Sequence, residues 1–261
     1  MTIRIGVMDS GAGGLTILQS IHAAIPQANL IYFADQANAP YGQQTSVFIT
    51  RRLIEIADYF IAQGCQMMVI ACNTATVAGI TELRQSISIP VVGVEPAVKP
   101  ACSSSICKRI TVLATQGTSI SKRLNDLIDT WRFDTDVEVL ASSSLATLID
   151  SMPTSLSELK EEVARIAEQV LSNKSDTLVL ACTHYPLVKN LFDEILPLVS
   201  IVEPSRGVTA QVQRLIDIHG MSLEKNNEGG VSILTNGSIH LQRSLSYWIN
   251  SLITRVTYIQ I

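Results

Sequence analysis

The stretch Met67-Met-Val-Ile-Ala-Cys-Asn-Thr-Ala75 decides the fold class of this chain. Five apolar residues run up to Cys72 without a polar residue among them, which is typical of a parallel strand that is buried on both faces of its sheet. The polar residues Asn73 and Thr74 would then begin a helix. A strand that leads directly into a helix predicts an α/β protein whose ligands bind beyond the carboxyl ends of its strands.

Short apolar runs of the same kind recur along the chain and alternate with helical patterns. Together with Met67–Ala71, the predicted strands are Ile3–Met8, Leu30–Phe33, Val91–Val94, Ile110–Ala114, Val137–Leu140, Thr177–Ala181, Ser200–Val202 and Ser232–Thr235. Apolar residues recur with helical spacing over 47–61 and 156–171. Gly64 would end the first of these helices, and Ser155 with Glu158 would form a capping box at the start of the second. The predicted fold class is therefore α/β, with mostly parallel sheets flanked by helices.

A second copy of the deciding pattern lies in Leu178-Val-Leu-Ala-Cys-Thr-His-Tyr185. An apolar strand again runs into Ala-Cys and then into polar residues that would begin a helix. Two segments that contain proline, Glu95–Pro100 and Glu203–Gly207, each follow a predicted strand and divide the chain. We expect two similar α/β lobes, residues 1–95 plus 206–261 and residues 96–205, with the active site in the cleft between them.

Composition and charge exclude several classes of protein. The chain of 261 residues is 47% hydrophobic and 16% charged, unlike a disordered protein. Its formal net charge of −4 provides no basic surface for nucleic acid or for an anionic membrane. Mean hydropathy is high, at +0.29, but the apolar runs are far shorter than the roughly 20 residues that cross a bilayer.

The start of the chain and its cysteines predict a cytoplasmic protein. Residues 1–9 run directly into a strand pattern and do not resemble a secretory signal. The five cysteines are an odd number and contain no C-x-x-C pair, which argues against a disulfide framework and for a reducing compartment. Cys102 and Cys107 lie close together, but no histidine or second pair completes a zinc set. We therefore expect no metal site.

The glycine-rich stretch Asp9-Ser-Gly-Ala-Gly-Gly14 follows the first predicted strand. Such a turn allows a ligand to approach backbone N–H groups at the start of a helix, where a carboxylate or phosphate is favoured. The stretch is not a dinucleotide fingerprint, and it has no P-loop lysine. The alternative is that Asp9 caps the helix and that the glycines only form a turn.

Cys72 and Cys182 are the residues that point most directly to chemistry. The thiolate of a cysteine at a helix N-terminus is stabilised by the helix, although a cysteine at a strand end can also be a small buried hydrophobe. Two thiols on opposite faces of one small substrate suit a two-base proton transfer, in which one thiol removes a proton and the other returns a proton to the far face. Asp9 and His184 are candidates for tuning the two thiols.

Five motifs together resemble those of the bacterial glutamate racemases. They are Ile5-Gly-Val-Met-Asp-Ser-Gly-Ala-Gly-Gly-Leu-Thr16, Ala39-Pro-Tyr-Gly42, Ala71-Cys-Asn-Thr-Ala75, Val91-Val-Gly-Val-Glu-Pro96 and Ala181-Cys-Thr-His-Tyr-Pro-Leu187. The resemblance runs in order from about residue 3 to about residue 210. The last motif, together with the glycine-rich stretch, favours the glutamate racemases over the aspartate racemases, which share the two-cysteine plan.

The resemblance implies a cofactor-independent 1,1-proton transfer that interconverts L- and D-glutamate and supplies D-glutamate for peptidoglycan. It implies that Cys72 deprotonates D-glutamate and Cys182 deprotonates L-glutamate, with help from Asp9 and His184. The residues implied to bind the substrate are Ser10, Asn73, Thr74 and Thr183 at the α-carboxylate and amine, Tyr41 and Gly42 at the side-chain carboxylate, and Pro40 beside them. A homodimer is implied by the same likeness.

Two positions depart from the family pattern. Asp150 stands near the place of a family glutamate, and its alternative is a solvated acid at the end of a helix. Glu203 and Pro204 stand where the family tends to have Asp-Ser. These departures concern regulation, substrate affinity and lobe packing.

The sequence leaves three alternative functions open. The first is a racemase for aspartate or another small acidic amino acid. The second is a non-catalytic protein that binds acidic amino acids. The third is a redox sensor in which Cys72 and Cys182 form a reversible disulfide.

Overall fold

The computed structural model describes residues 2–224, 228–249 and 256–258. The chain divides into two compact units, residues 1–94 with 205–261 and residues 95–204. Each unit contains a single parallel sheet among its described residues, and helices alternate with the strands along the chain. The predicted α/β class with parallel sheets flanked by helices is confirmed.

The strands of the described residues match the apolar runs of the sequence. They are β1 (Arg4–Asp9), β2 (Asn29–Ala34), β3 (Met67–Ile70), β4 (Val91–Gly93), β5 (Arg109–Thr115), β6 (Asp136–Ser142), β7 (Thr177–Leu180), β8 (Ser200–Val202), β9 (Val231–Thr235) and β10 (Val256–Tyr258). All nine predicted strands are present, with ends that differ by no more than two residues. β10 was not predicted from the sequence.

Most of the helices follow a strand directly. They are α1 (Leu15–Ala24), α2 (Ser46–Ala62), α3 (Asn73–Ser86), α4 (Val98–Ser104), α5 (Gln116–Ser119), α6 (Lys122–Trp131), α7 (Leu145–Asp150), α8 (Leu156–Ser172), α9 (Lys189–Ile195), α10 (Ser205–Ile218) and α11 (Ile239–Trp248). As predicted, α2 ends before Gly64, whose φ of +77° is a conformation that glycine adopts without strain. Among the described residues, no helix is both long enough and apolar enough to cross a bilayer.

The capping box predicted for α8 is wrong. The residue before this helix is Ser155, and its side chain accepts no hydrogen bond from the first turn. Its hydroxyl instead donates to the carbonyl oxygen of Leu148 at 2.6 Å. The last carbonyls of α7 have no partner within their own helix, and one of them takes the hydroxyl that the sequence pattern assigned to the start of α8.

The four strands of the second sheet repeat the order of four neighbouring strands in the first sheet. In the first unit the order is β10-β9-β2-β1-β3-β4, and in the second it is β6-β5-β7-β8, with every pairing parallel. In both sheets the chain moves to one side of the first strand and then to the other. The connections that follow β1 and β3, like those that follow β5 and β7, therefore lead in opposite directions beyond the carboxyl ends of these strands. Ligands of open α/β sheets bind at such a point.

Asp176, which directly precedes β7, stabilises the second unit. Its carboxylate accepts hydrogen bonds from the hydroxyls of Ser105 and Thr177, at 2.7 and 2.9 Å, and from the backbone N–H groups of Ile106 and Cys107, both at 2.7 Å. Burial alone raises the pKa of Asp176, but these hydrogen bonds outweigh it and lower the pKa from 3.8 to about 2. The ionised carboxylate therefore stabilises the folded state, and this contribution disappears as the pH falls from about 4 towards 2.

We expect Asp176→Asn to lower the free energy of unfolding by about 1–2 kcal/mol at pH 7, after allowance for solvent screening. The difference from the wild type should shrink below pH 4, because protonation then removes the same charge from the wild type. Urea denaturation at pH 7 and pH 3 measures both values. Asp193→Asn is the control, since Asp193 forms an exposed ion pair with Lys189 on α9 and should change stability by less than about 0.5 kcal/mol. Equal midpoints for Asp176→Asn and the wild type at pH 7 would contradict this assignment.

Candidate functional site

In the first unit, the candidate residues Asp9, Ser10 and Cys72 lie at the ends of the neighbouring strands β1 and β3. Asp9 is the last residue of β1, and Cys72 follows β3 by two residues. The N–H of Ala71 donates to the carbonyl oxygen of Met8 at 2.7 Å, which extends the pairing of the two strands to their carboxyl ends. The register of Met8 with Ile70 therefore places Ser10 level with Cys72.

The loop after β1 is held by its own acid and by a buried tyrosine. Asp9 is fully buried, and its Oδ1 accepts a hydrogen bond from the N–H of Gly11 at 2.7 Å. The hydroxyl of Tyr32 donates to the carbonyl oxygen of Gly11 at 2.7 Å. A Cβ at Gly14 would lie only 2.8 Å from the Cβ of Asp9 and 2.9 Å from the ring of Tyr32, so only glycine fits there. The cap position of α1 is Gly14 and not Asp9.

Cys72 is placed at the amino end of α3. It occupies the cap position with an extended backbone, and its carbonyl oxygen accepts the N–H of Thr76 at 2.9 Å. Its Sγ lies 3.8 Å from the hydroxyl oxygen of Ser10, and the residue is 6% exposed. The positive end of a helix of 14 residues and a neighbouring hydroxyl both favour a negatively charged sulfur.

The remaining candidates of the first unit differ in exposure. Asn73 and Tyr41 are buried, Thr74 is half-buried, and Pro40 and Gly42 are exposed. The Tyr41 hydroxyl donates to a carboxylate, Asp35, at 2.5 Å. Burial, the Asp35 charge and the nearby Cys72 thiol together raise the pKa of Tyr41 far above its usual value, so this side chain stays a neutral phenol near the thiol.

In the second unit, Cys182 occupies the equivalent place after β7. The N–H of Ala181 donates to the carbonyl oxygen of Leu113 on β5 at 2.8 Å, just as Ala71 bonds to β1 in the first unit. Cys182 is 8% exposed and Thr183 is buried.

The helix predicted directly after Cys182 is not formed. The chain makes a turn, in which the N–H of Tyr185 donates to the carbonyl oxygen of Cys182 at 3.2 Å. A short 3-10 helix spans Tyr185–Val188, and α9 follows it. A residue before proline disfavours the α conformation, so Pro186 prevents one continuous helix from starting at Thr183. Stabilisation by a helix N-terminus therefore applies to Cys72 and not to Cys182.

A histidine and a carboxylate replace the helix beside Cys182. The Sγ of Cys182 lies 3.9 Å from Nδ1 of His184, and Nε2 of His184 lies 3.0 Å from Oδ2 of Asp150. A carboxylate only accepts hydrogen bonds, so in the neutral imidazole Nε2 carries the proton and Nδ1 is an acceptor that faces the thiol. His184 is only 5% exposed. The arrangement can take the thiol proton and leave a thiolate.

Two residues that surround the candidate site were not identified from the sequence, and the role of a third was left undecided. The sequence left Asp150 between a functional acid and a solvated one, and the structure places it against His184. Asp35 and Arg52 were missed, although they form a buried ion pair next to Tyr41. The position of Asp35 was the available signal, since it directly follows β2 as Cys72 and Cys182 follow their strands.

All five cysteines lie in the described part of the chain, and no disulfide joins them. Within that part, no group of three or more His, Cys, Asp and Glu residues is arranged to hold a metal ion.

Comparison with known proteins agrees with this chemistry. The model of the Asp/Glu/Hydantoin racemase family matches residues 5–212. The glutamate racemase of Pseudomonas syringae pv. tomato is 40% identical over 219 residues, which are 83% of this chain and 80% of that protein. The glutamate racemase of Pseudomonas aeruginosa strain PAO1 is 38% identical and is covered to 83%, as is this chain.

Solved structures give the same result. The Escherichia coli glutamate racemase, determined in complex with L-glutamate and the activator UDP-MurNAc-Ala, matches with a TM-score of 0.85 and 26% identity, covering 99% of this chain and 98% of that one. A glutamate racemase isoform from Bacillus anthracis matches with a TM-score of 0.86 and 25% identity over 100% of this chain and 98% of that one. The resemblance found in the sequence motifs is confirmed, and the chain belongs to the Asp/Glu/hydantoin racemase family.

Proposed function

We propose that this protein is a glutamate racemase that interconverts L- and D-glutamate by two-base proton transfer between Cys72 and Cys182. The observation that carries the proposal is the matched placement of the two thiols. Cys72 follows β3 and Cys182 follows β7 by two residues, and each of these strands is the third of its sheet in chain order. The sulfur of each cysteine also has a polar partner. The identity of about 40% to proteins named glutamate racemase selects glutamate among acidic amino acids.

The proposed reaction moves two protons. In the direction from L- to D-glutamate, the Cys182 thiolate takes the α hydrogen as a proton, and the electron pair of the C–H bond stays on the α carbon. The Cys72 thiol then donates its proton to the opposite face and becomes a thiolate. The reverse direction exchanges the two roles. Before the next turnover from L-glutamate, His184, held by Asp150 at 3.0 Å, takes the proton of Cys182 and passes it to solvent, while the Cys72 thiolate regains a proton from solvent.

The α carbon is a much weaker acid than a thiol, so negative charge on the carbanion must be stabilised. We assign this to preorganised donors that bind the α-carboxylate and amine, namely Ser10, Asn73, Thr74 and Thr183. The backbone N–H groups of Tyr41 and Gly42 would bind the side-chain carboxylate, with Pro40 adjoining them. Asp9, buried at the end of β1, would assist Cys72. Exclusion of water from both thiols would strengthen these interactions.

Exchange of the α hydrogen tests this function. Purified protein is incubated with L-glutamate in heavy water without pyridoxal phosphate, and optical rotation and deuterium at the α carbon are followed. We expect the rotation to decay to zero while each product molecule gains one deuterium. Parallel reactions with L-aspartate distinguish an aspartate racemase. Glutamate that stays optically pure and unlabelled, although it binds, would instead identify a non-catalytic binding protein.

The cellular role follows from the proposed product. We infer that the protein acts in the bacterial cytoplasm as a homodimer and supplies D-glutamate for peptidoglycan, as its resemblance to glutamate racemases suggests. A strain depleted of the protein should then need external D-glutamate for growth. Growth without D-glutamate, in a strain that has no other source of it, would contradict this role.

A further inference from the structure

Asp35 is a buried carboxylate beside the segment 40–42, which we assign to the side-chain carboxylate of the substrate. It directly follows β2, and its side chain has no exposed surface. Its backbone N–H donates to the carbonyl oxygen of Asp9 at 2.9 Å, so the two acids lie at the same edge of the sheet. Asp35 therefore belongs to the surroundings of the site.

Four side chains hold the Asp35 carboxylate. Arg52 donates from Nη2 to Oδ1 at 2.7 Å and from Nε to Oδ2 at 3.2 Å. The Tyr41 hydroxyl donates to Oδ2 at 2.5 Å, and Asn236 Nδ2 donates to Oδ1 at 2.5 Å. Asn38 Nδ2 lies 3.0 Å from Oδ1. With both oxygens engaged inside the protein, Asp35 acts on these neighbours rather than on a ligand.

The charges in this cluster fix the direction of the Tyr41 side chain. Burial raises the pKa of Asp35, but the hydrogen bonds from Arg52, Tyr41 and Asn38 outweigh it and lower the pKa below 3.8. Asp35 is therefore an anion, and it accepts from a phenol that burial and this charge keep protonated. A hydrogen bond to an ionised acceptor is about twice as strong as a neutral one, which fixes the direction of the Tyr41 side chain.

Residues 235–241 of the first unit hold Gln36 and Ala37, which directly follow Asp35. The Oδ1 of Asn236 accepts the N–H of Ala37 at 2.9 Å. The hydroxyl of Thr235, at the end of β9, donates to Oε1 of Gln36 at 2.7 Å, and Nε2 of Gln36 donates to the carbonyl oxygen of Leu241 on α11 at 3.0 Å. This part of the chain contains no candidate catalytic residue, yet it supports the segment that begins at Asp35.

We propose that Asp35 is a positioning residue, which fixes Tyr41 and thereby holds the backbone of residues 40–42 where the side-chain carboxylate of glutamate binds. The inference rests on the proposed function. A Cβ at Gly42 would meet no protein atom within 4 Å, so this backbone is open to a ligand and packing around Gly42 does not hold it. The hydrogen bond from the buried Tyr41 hydroxyl to Asp35 holds this backbone in place instead.

Two variants test the proposal without breaking the ion pair of Asp35 with Arg52. Tyr41→Phe and Asn236→Ala each remove one donor to Asp35. We expect KM and the calorimetric Kd for L- and D-glutamate to rise about tenfold, the effect of losing one hydrogen bond to a charged group, with a smaller change in kcat. Thr209→Val is the control, because it removes a partly buried hydrogen bond to Ser20 of 2.8 Å in the same unit, and it should leave KM unchanged.

The measurements separate this proposal from a purely structural role. If Asp35 only stabilised the fold, Asn236→Ala and Thr209→Val would lower the urea midpoint without changing Kd, and that result would overturn the proposal. A lower kcat at unchanged KM would overturn it as well. If the wild type binds glutamate but does not racemise it, the proposed function fails, and the Kd values still decide the role of Asp35. If the wild type binds no glutamate, both proposals fail.

Discussion

Replacing either Cys72 or Cys182 with serine is expected to lower the rate of glutamate racemisation by about three orders of magnitude, the contribution of one general acid or base. A serine hydroxyl holds its proton far more tightly than a thiol, so it cannot serve as the base that deprotonates the α carbon. The loss should be of similar size in the two variants, because each turnover needs both groups. Polarimetry at saturating L- and D-glutamate measures it.

The chain offers a matched control in each unit. Cys65 and Cys102 are also buried, and burial raises the pKa of Cys65 to about 12 and raises that of Cys102 as well. We expect Cys65→Ser and Cys102→Ser to racemise glutamate within about twofold of the wild type, while burial of a hydroxyl lowers their stability by about 1–2 kcal/mol. Turnover near the wild-type rate in Cys72→Ser or Cys182→Ser would reject the two-base mechanism.

His184 and Asp150 should act as one unit. Replacing His184 with asparagine removes the nitrogen 3.9 Å from the Cys182 sulfur, and we expect kcat/KM to fall about a hundredfold or more. Asp150→Asn leaves the imidazole in place but replaces a group that only accepts hydrogen bonds with an amide that can also donate to Nε2, so the tautomer is no longer fixed, and a loss of about tenfold or more is expected. The double variant should lose no more activity than His184→Asn alone, because Asp150 acts only through His184.

The double-mutant cycle decides between a positioning role and an independent role for Asp150. If the two losses multiply in the double variant, Asp150 contributes by another route and the arrangement proposed here is wrong. His219→Asn, at an exposed histidine that follows α10, should leave activity unchanged. The two enantiomers have equal free energy, so each variant must lower kcat/KM equally in both directions, which provides an internal check on the rates.

The sequence contained enough information to predict the sheets and the positions of both thiols. Strands such as Met67–Ile70 and Thr177–Leu180 are buried at every residue, and a strand buried on both faces leaves a continuous apolar run. The cysteines then follow from the rule that ligands bind at the carboxyl ends of parallel strands. These signals are local in the chain, and a single sequence therefore shows them.

The hydrogen-bond partners of the site could not be predicted in the same way. Asp35 pairs with Arg52 and with Asn236, which lies 201 residues further along the chain, and no spacing rule connects such positions. The capping pattern at Ser155 failed because a carbonyl of the preceding helix competed for its hydroxyl. The helix expected after Cys182 failed because Pro186 interrupts it. A contact between distant segments decided the first case, a competing acceptor seven residues away decided the second, and the restricted backbone before proline decided the third.

A crystal structure of the protein with D-glutamate bound tests the central claim most directly. The two-base mechanism predicts that the sulfurs of Cys72 and Cys182 lie on opposite sides of the α carbon, each roughly 3–4 Å from it. Two sulfurs on the same side of that carbon, or one sulfur too far away to contact the ligand, would contradict the account.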